Sequence, residues 1–202
     1  MNDTLATLGR LDVDAASRRA ADQLVRRAAA AGLIDIAVAT VDTPMGPLLV
    51  AGTREGLVRV AFPEEQPDVV LQELADAVSP RILRDRRRLD RTLRELDEYF
   101  DGRRRRFTTR IDWQLIPAGF SRRVLEETAR IPYGSVSTYG EVANRAGSRR
   151  AARAAGNALH DNPVPVVVPC HRVVPSSGGI GQYGGSEWRK EYLLSLEGWL
   201  AR

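Results

Sequence analysis

Cysteine is all but missing from this chain: there is one thiol, Cys170, in 202 residues. A single cysteine excludes an intramolecular disulfide. With only two histidines, His160 and His171, to join it, a four-ligand zinc site is not expected either. Long apolar runs are absent too, and nothing approaches the ~20 residues that a membrane helix needs. The first fifteen residues carry Asp3, Arg10, Asp12 and Asp14 and no apolar core, so no secretory leader is expected and the cytoplasm is the expected compartment. Lysine is reduced to Lys190, which leaves the positive charge to arginine. Acidic charge is scarce only in the second half. Residues 1–100 carry 14 basic against 17 acidic side chains, and residues 101–202 carry 16 against 9. A basic C-terminal half suits a phosphate-binding module, although a solvated surface accounts for the same excess.

What is present reads as an α/β chain of the α+β kind. Residues 12–31 place Val13, Ala16, Ala20, Leu24 and Ala28 at helical spacing before Gly32, which predicts a helix packed on the body of the protein. From Ile34 the period changes. IDIAVATVDT, GPLLVAGT and GLVRVAF are short β-branched runs separated by glycine and proline, and predict a small antiparallel sheet of three strands. Residues 67–78 and 89–100 then read as helices, the second with Leu89, Leu93, Leu96 and Phe100 on one face. Segment 101–113 is polar and turn-rich and marks a domain boundary, its Arg103–Arg106 run reading as a solvated loop. The domains expected are a helical extension over 1–38, an α/β domain over 39–112 and a mainly helical domain over 113–202.

In that last part Phe120, Val124, Leu125 and Thr128 share a helix face, and Ile131-Pro132-Tyr133-Gly134 ends the helix. Thr138 is the expected N-cap of a short helix over Tyr139–Ala146, and a second helix runs from about Arg149 to Leu159, the outline of a helix-turn-helix. Asn162–Pro169 reads as an extended apolar segment that Pro163 and Pro165 keep out of any helix. Cys170-His171-Arg172 follows at once, then a glycine-rich loop and a closing helix over Trp188–Leu200.

A thiol attacks as a thiolate, which requires a base or a positive field. Cys170 has His171 and Arg172 within two positions, so it is a candidate nucleophile beside the alternative of a small buried hydrophobe. On an extended strand its side chain and that of His171 would point opposite ways, with a water needed between them.

Pro169-Cys170-His171-Arg172-Val173, preceded by Asn162-Pro163-Val164-Pro165, resembles the active-site signature of the O6-alkylguanine-DNA alkyltransferases. Ile131-Pro132-Tyr133-Gly134 with Val136, Thr138 and Tyr139, then Arg153 in AARAAGNAL, resemble the same family's helix-turn-helix, and Tyr183, Lys190 and Glu197-Gly198 its last loop and helix. The resemblance spans roughly 39–198. It implies a ribonuclease-H-like first domain and a winged-helix-like second one, and a function in DNA repair. The alkyl group of O6-alkylguanine would pass to Cys170 once and irreversibly, since a thioether offers water no carbonyl to attack; O4-alkylthymine stays open as a second substrate.

It also implies roles residue by residue. Cys170 is the nucleophile, His171 takes its proton through a water, Glu197 orients the imidazole and favours its charged form, and Tyr139 protonates the departing guanine. Asn162 braces the active-site turn. Arg153 fills the space of the flipped base from a helix in the minor groove, with Ala152 and Gly156 permitting close approach. The guanine would lie between Tyr139 and the Val173/Tyr183 loop, with the carbonyls of Cys170 and Val173 reading its amine and Gly184 offering only its backbone N–H to the oxygen. The expected partner is double-stranded DNA carrying the lesion; no cofactor, metal or membrane is implied, and a monomer is expected. A catalytically silent sensor of alkylated DNA and a helix-turn-helix regulator are the alternatives.

Overall fold

The computed structural model describes residues 17, 19–21, 23–28, 30–181, 183 and 186–200. Val13 and Ala16 of the first expected helix lie outside them, while the described residues between 17 and 30 are helical. The expected packing face is not realised along its length. Ala28 is buried, but Leu24 is 63% exposed.

Three strands follow as the β-branched runs predict: β1 (Ile36–Val41), β2 (Leu48–Gly52) and β3 (Leu57–Ala61), paired antiparallel in sequence order. The sheet is nevertheless mixed. A fourth strand, β4 (Ile82–Arg84), lies parallel to β1, with Ile36 opposite Ile82, and the order is β3-β2-β1-β4. Three residues between Pro80 and the cap Asp85 are too few to show alternation, so sequence periodicity missed the strand.

Helix α1 (Pro67–Ala77) covers one face of the sheet, where Val70 and Leu74 join Ile36, Val38 and Val58. Helix α2 (Arg86–Phe100) covers the other, with Leu89, Leu93 and Leu96 against Ala37, Val41 and Val50. Burial on both faces is why the strands read as apolar runs, each buried Val or Leu being worth roughly 1.5–3 kcal/mol. Asp85 starts α2 by accepting from the N–H groups of Arg87 and Arg88.

Beyond residue 118 come α3 (Phe120–Thr128), α4 (Tyr139–Arg145), α5 (Ala152–His160) and α6 (Glu187–Leu196), with a two-strand parallel ladder of β5 (Ser137–Thr138) and β6 (Val173–Val174). Helices α4 and α5 form the helix-turn-helix, on which α3 packs. α5 starts three residues later than expected, because Arg149 and Arg150 sit in a turn and no side chain caps an earlier start. α6 ends at Leu196, short of Leu200, with Glu197 as its C-cap and Gly198 at φ +74°.

The two halves share one core. Tyr99 and Phe100 of α2 belong to the same buried cluster as Val124, Val142, Cys170 and Leu193. The free edge of β3 adds backbone bonds. Leu57 donates to Arg110 and accepts from Asp112, and Val60 donates to Pro163 at 2.8 Å. That last bond docks the segment before Cys170 onto the sheet.

Candidate active site

The segment expected to be extended is a compact turn. Val168 N–H donates to Val164 at 2.9 Å, and Val166 takes φ +72°, a left-handed backbone that β-branched residues rarely adopt. Asn162 holds it. Its Oδ1 accepts from Val164 N–H at 3.1 Å and its Nδ2 donates to Val168 O at 3.0 Å. The same Nδ2 lies 3.0 Å from Cys170 Sγ, a donor aimed at the sulfur that sequence reasoning did not foresee.

Cys170–Arg172 then forms one turn of 3-10 helix, not a strand mouth. Successive side chains on such a turn diverge by about 120°. Cys170 therefore faces a cleft while His171 and Arg172 face the core. The cleft holds about 850 Å³ and is lined by Tyr139, Gly156, Leu159, Asn162, Pro165, Cys170 and Tyr183 on one side and by Arg59, Phe62, Leu115 and Ile116 on the other. Cys170 is 7% exposed: enclosed, but reachable from the cleft.

Behind the sulfur lies a buried charge network. His171 Nε2 donates to Glu197 Oε1 at 2.9 Å, and its Nδ1 is buried with no partner among the described residues. Arg172 grips Glu197 through Nε at 2.9 Å from Oε2 and Nη2 at 2.8 Å from Oε1, while its Nη1 donates to Ile131 O at 2.6 Å. Gly134 N–H donates to Oε2 at 3.1 Å and Tyr99 O–H to Oε1 at 2.7 Å. Glu197 is thus no exposed helix-end carboxylate. α6 stops one residue before it, which lets it turn inward.

Electrostatics follow from this set. Burial raises the Glu197 carboxyl, but hydrogen bonds and charge from His171 and Arg172 overcome it and hold the group at about 2. Burial lowers the His171 imidazole; Glu197 pulls toward the charged form, but Arg172 and Lys190 oppose it and the net direction is down. Because burial outweighs the pull of Glu197, the resting imidazole is neutral, protonated at Nε2 with an open lone pair on Nδ1. Burial raises the Cys170 thiol, against Asn162, Lys190 and Tyr183, which lower it, so sulfur rests as a thiol. Lys190 is buried, donates to Val173 O at 2.6 Å and is lowered by desolvation to about 8. Tyr139 is raised by burial and by the nearby Cys170.

Of the residues that the sequence singled out, Cys170, Asn162, Tyr139, Gly156 and Tyr183 meet at the cleft, and His171 and Glu197 stand behind it. Tyr183 is buried and packs edge-on against Phe62 and His171, each at 5.9 Å between centroids. Its hydroxyl, close to Cys170, has no well-formed hydrogen bond among the described residues. The Val173 side chain is buried in the core, where β6 pairs with β5; the Cys170 carbonyl accepts from Val173 N–H and the Val173 carbonyl from Lys190, each keeping a second lone pair. Arg153 stands exposed in the first turn of α5 beside Ala152 and does not line the cleft. Gly184 lies outside the described residues. Arg172, Lys190 and Tyr99 were missed in these roles, because pairing of buried charge depends on which chain segments meet.

The chain is similar to known proteins in sequence and fold. The family profile described as 6-O-methylguanine DNA methyltransferase, DNA binding domain, matches residues 119–199, and that family's ribonuclease-like domain matches residues 36–113. The methylated-DNA–protein-cysteine methyltransferase of Methanosarcina acetivorans is 36% identical over 161 residues, covering 78% of this chain and 95% of its own. That of Mycobacterium leprae is 37% identical over 165 residues, covering 78% and 90%. The crystal structure of Mycobacterium tuberculosis O6-methylguanine methyltransferase superposes with TM-score 0.69 at 34% identity, covering 80% of this chain and 92% of that one. A structure of Mycobacterium tuberculosis OGT in complex with DNA gives a TM-score of 0.68 over the same shares.

Proposed function

This chain belongs to the 6-O-methylguanine DNA methyltransferase family, and from that premise we propose that it repairs DNA by moving the alkyl group of O6-alkylguanine onto Cys170 in a single, irreversible turnover. One observation carries the reading: a cleft-facing sulfur with an amide donor at 3.0 Å, backed by a neutral histidine whose Nδ1 is free to take a proton.

In the step we propose, Sγ attacks the alkyl carbon in line, a C–S bond forms as the C–O6 bond breaks, and the electron pair leaves with guanine. The thiol proton passes to His171 Nδ1 through a water, and the Tyr139 hydroxyl protonates the departing base. Asn162 Nδ2 and Lys190 stabilise the developing thiolate, which offsets the burial that otherwise keeps the thiol protonated. The product thioether has neither a carbonyl for water nor a second cysteine for exchange, so each molecule acts once.

A guanine stacked in a duplex cannot reach a sulfur at the bottom of a cleft, so the base must be everted. We assign Arg153 to the vacated stack, with Ala152 and Gly156 against the minor groove. Gly156 lines the cleft, and a Cβ there would lie 3.8 Å from the Tyr139 ring, so the helix passes close to the tyrosine. We take the protein to act as a monomer on double-stranded DNA in the cytoplasm. No helix among the described residues is long and apolar enough to cross a membrane.

Intact-mass measurement after mixing with O6-methylguanine DNA tests the reading. One methyl, about 14 Da, is expected on Cys170. None should appear on Cys170→Ala, and methylation elsewhere would refute the assignment. Arg153→Ala is expected to slow reaction with the duplex lesion more than with free O6-methylguanine; equal losses would remove Arg153 from the stack.

A further inference from the structure

We infer that Tyr99 is a positioning residue for alkyl transfer, through which the ribonuclease-like half holds the Glu197–His171 pair of the DNA-binding half in its proton-accepting arrangement. The inference rests on the reading of Cys170 as acceptor.

Tyr99 is the penultimate residue of α2, within the segment that matches the ribonuclease-like profile, whereas His171, Arg172 and Glu197 belong to the other segment. It is fully buried, and its ring is held edge-on or tilted by Phe100, Phe107 and Tyr133 at centroid distances of 5.4, 5.3 and 6.2 Å. Packing explains the ring but not the hydroxyl. That group could have been omitted as phenylalanine, and a buried O–H requires a partner. The partner is Glu197 Oε1, at 2.7 Å, the oxygen that also receives His171 Nε2–H. With its proton given to Glu197, the phenol oxygen sits 3.4 Å from Nε2 and presents a lone pair there. Both contacts favour the proton on Nε2 and leave Nδ1 free.

The hydrogen bond also withdraws charge from Oε1. A carboxylate with one donor fewer is more basic and pulls its partner toward the imidazolium, which can take no further proton. Several groups bear on His171 or its carboxylate: Glu197, Arg172, Lys190, Tyr183 and Tyr133. Arg172 grips the carboxylate more strongly, but among the described residues only Tyr99 reaches the shared oxygen from the far half.

Tyr99→Phe keeps the ring and removes the hydroxyl. In ¹⁵N-histidine NMR of the full chain without DNA, the His171 imidazole is expected to titrate about half to one pH unit higher than in the parent. The acid limb of the alkyl-transfer rate should move up by the same amount. Superimposable titrations, or a rate loss equal at every pH, would overturn the inference and reduce Tyr99 to packing. If Tyr99→Phe does not fold, 3-fluorotyrosine installed at position 99, a stronger donor of nearly the same shape, must shift both titrations down; no shift or an upward one overturns it. The NMR arm needs no reaction. A parent that transfers no methyl sinks the reading of Cys170, whereas a parent that transfers while the variant titrates unchanged sinks only this inference.

Discussion

Asn162 spends one amide on two tasks. Its oxygen closes the turn on Val164, and its nitrogen spans Val168 O and Cys170 Sγ. Asn162→Asp separates them, because a carboxylate still accepts from Val164 but loses the donor and sets a negative charge beside the sulfur. Losing a hydrogen bond to a developing thiolate predicts a rate about 10- to 100-fold lower at neutral pH, recovering partly as pH rises, in single-turnover assays. A flat pH profile would remove Asn162 from thiolate stabilisation. The turn-bracing half of this role was legible from Asn162-Pro163, where an Asx turn is the expected use of asparagine. The bond to sulfur was not. It requires the chain to fold back over eight residues, and the strained Val166 that allows this has no sequence signature.

Helix α4 has only seven residues and relies on its start. Thr138 Oγ1 accepts from Glu141 N–H at 3.2 Å, and the Glu141 carboxylate accepts from Thr138 N–H at 2.7 Å, a reciprocal capping box, with Ser137 donating to the same carboxylate at 2.8 Å. Tyr139 is the first helical residue after the cap, so the cap also places the phenol at the cleft. Thr138→Ala is expected to cost about 1 kcal/mol, read as a melting temperature lower by about 3 °C, and to slow transfer several-fold. An unchanged rate would uncouple the cap from the site. This helix was legible because its signal is local: a threonine with glutamate three residues on. β4 was not, since a three-residue strand acquires its identity from β1 beside it. The later start of α5 has the same origin, in a turn over Arg149 and Arg150 that helix propensity alone does not reveal.

Across the whole molecule the buried network ties stability to pH. Glu197 titrates at about 2 when folded and near 4.5 when free, so its contribution is complete above 4.5 and is lost as pH falls toward 2. His171 is lowered from 6.5 by burial, so the unfolded chain takes up its proton first and stability already declines below about 6.5. The unfolding free energy from urea titrations is therefore expected to fall as pH drops below 6.5 and more steeply below 4.5, by about 3 kcal/mol for Glu197 alone. A free energy that stays level from pH 7 to 3 would contradict the network. By itself the sequence determined the first three strands, most of the helices, the helix-turn-helix outline and the sulfur with its flanking histidine, because periodicity, caps and motif spacing are properties of neighbouring residues. Only the tertiary structure decided that Glu197 turns inward to Arg172, that Tyr99 reaches it from α2, and that the Val173 side chain packs in the core. Those outcomes depend on which distant segments share a low-dielectric interior, where a charge or hydroxyl persists only beside a partner that completes it.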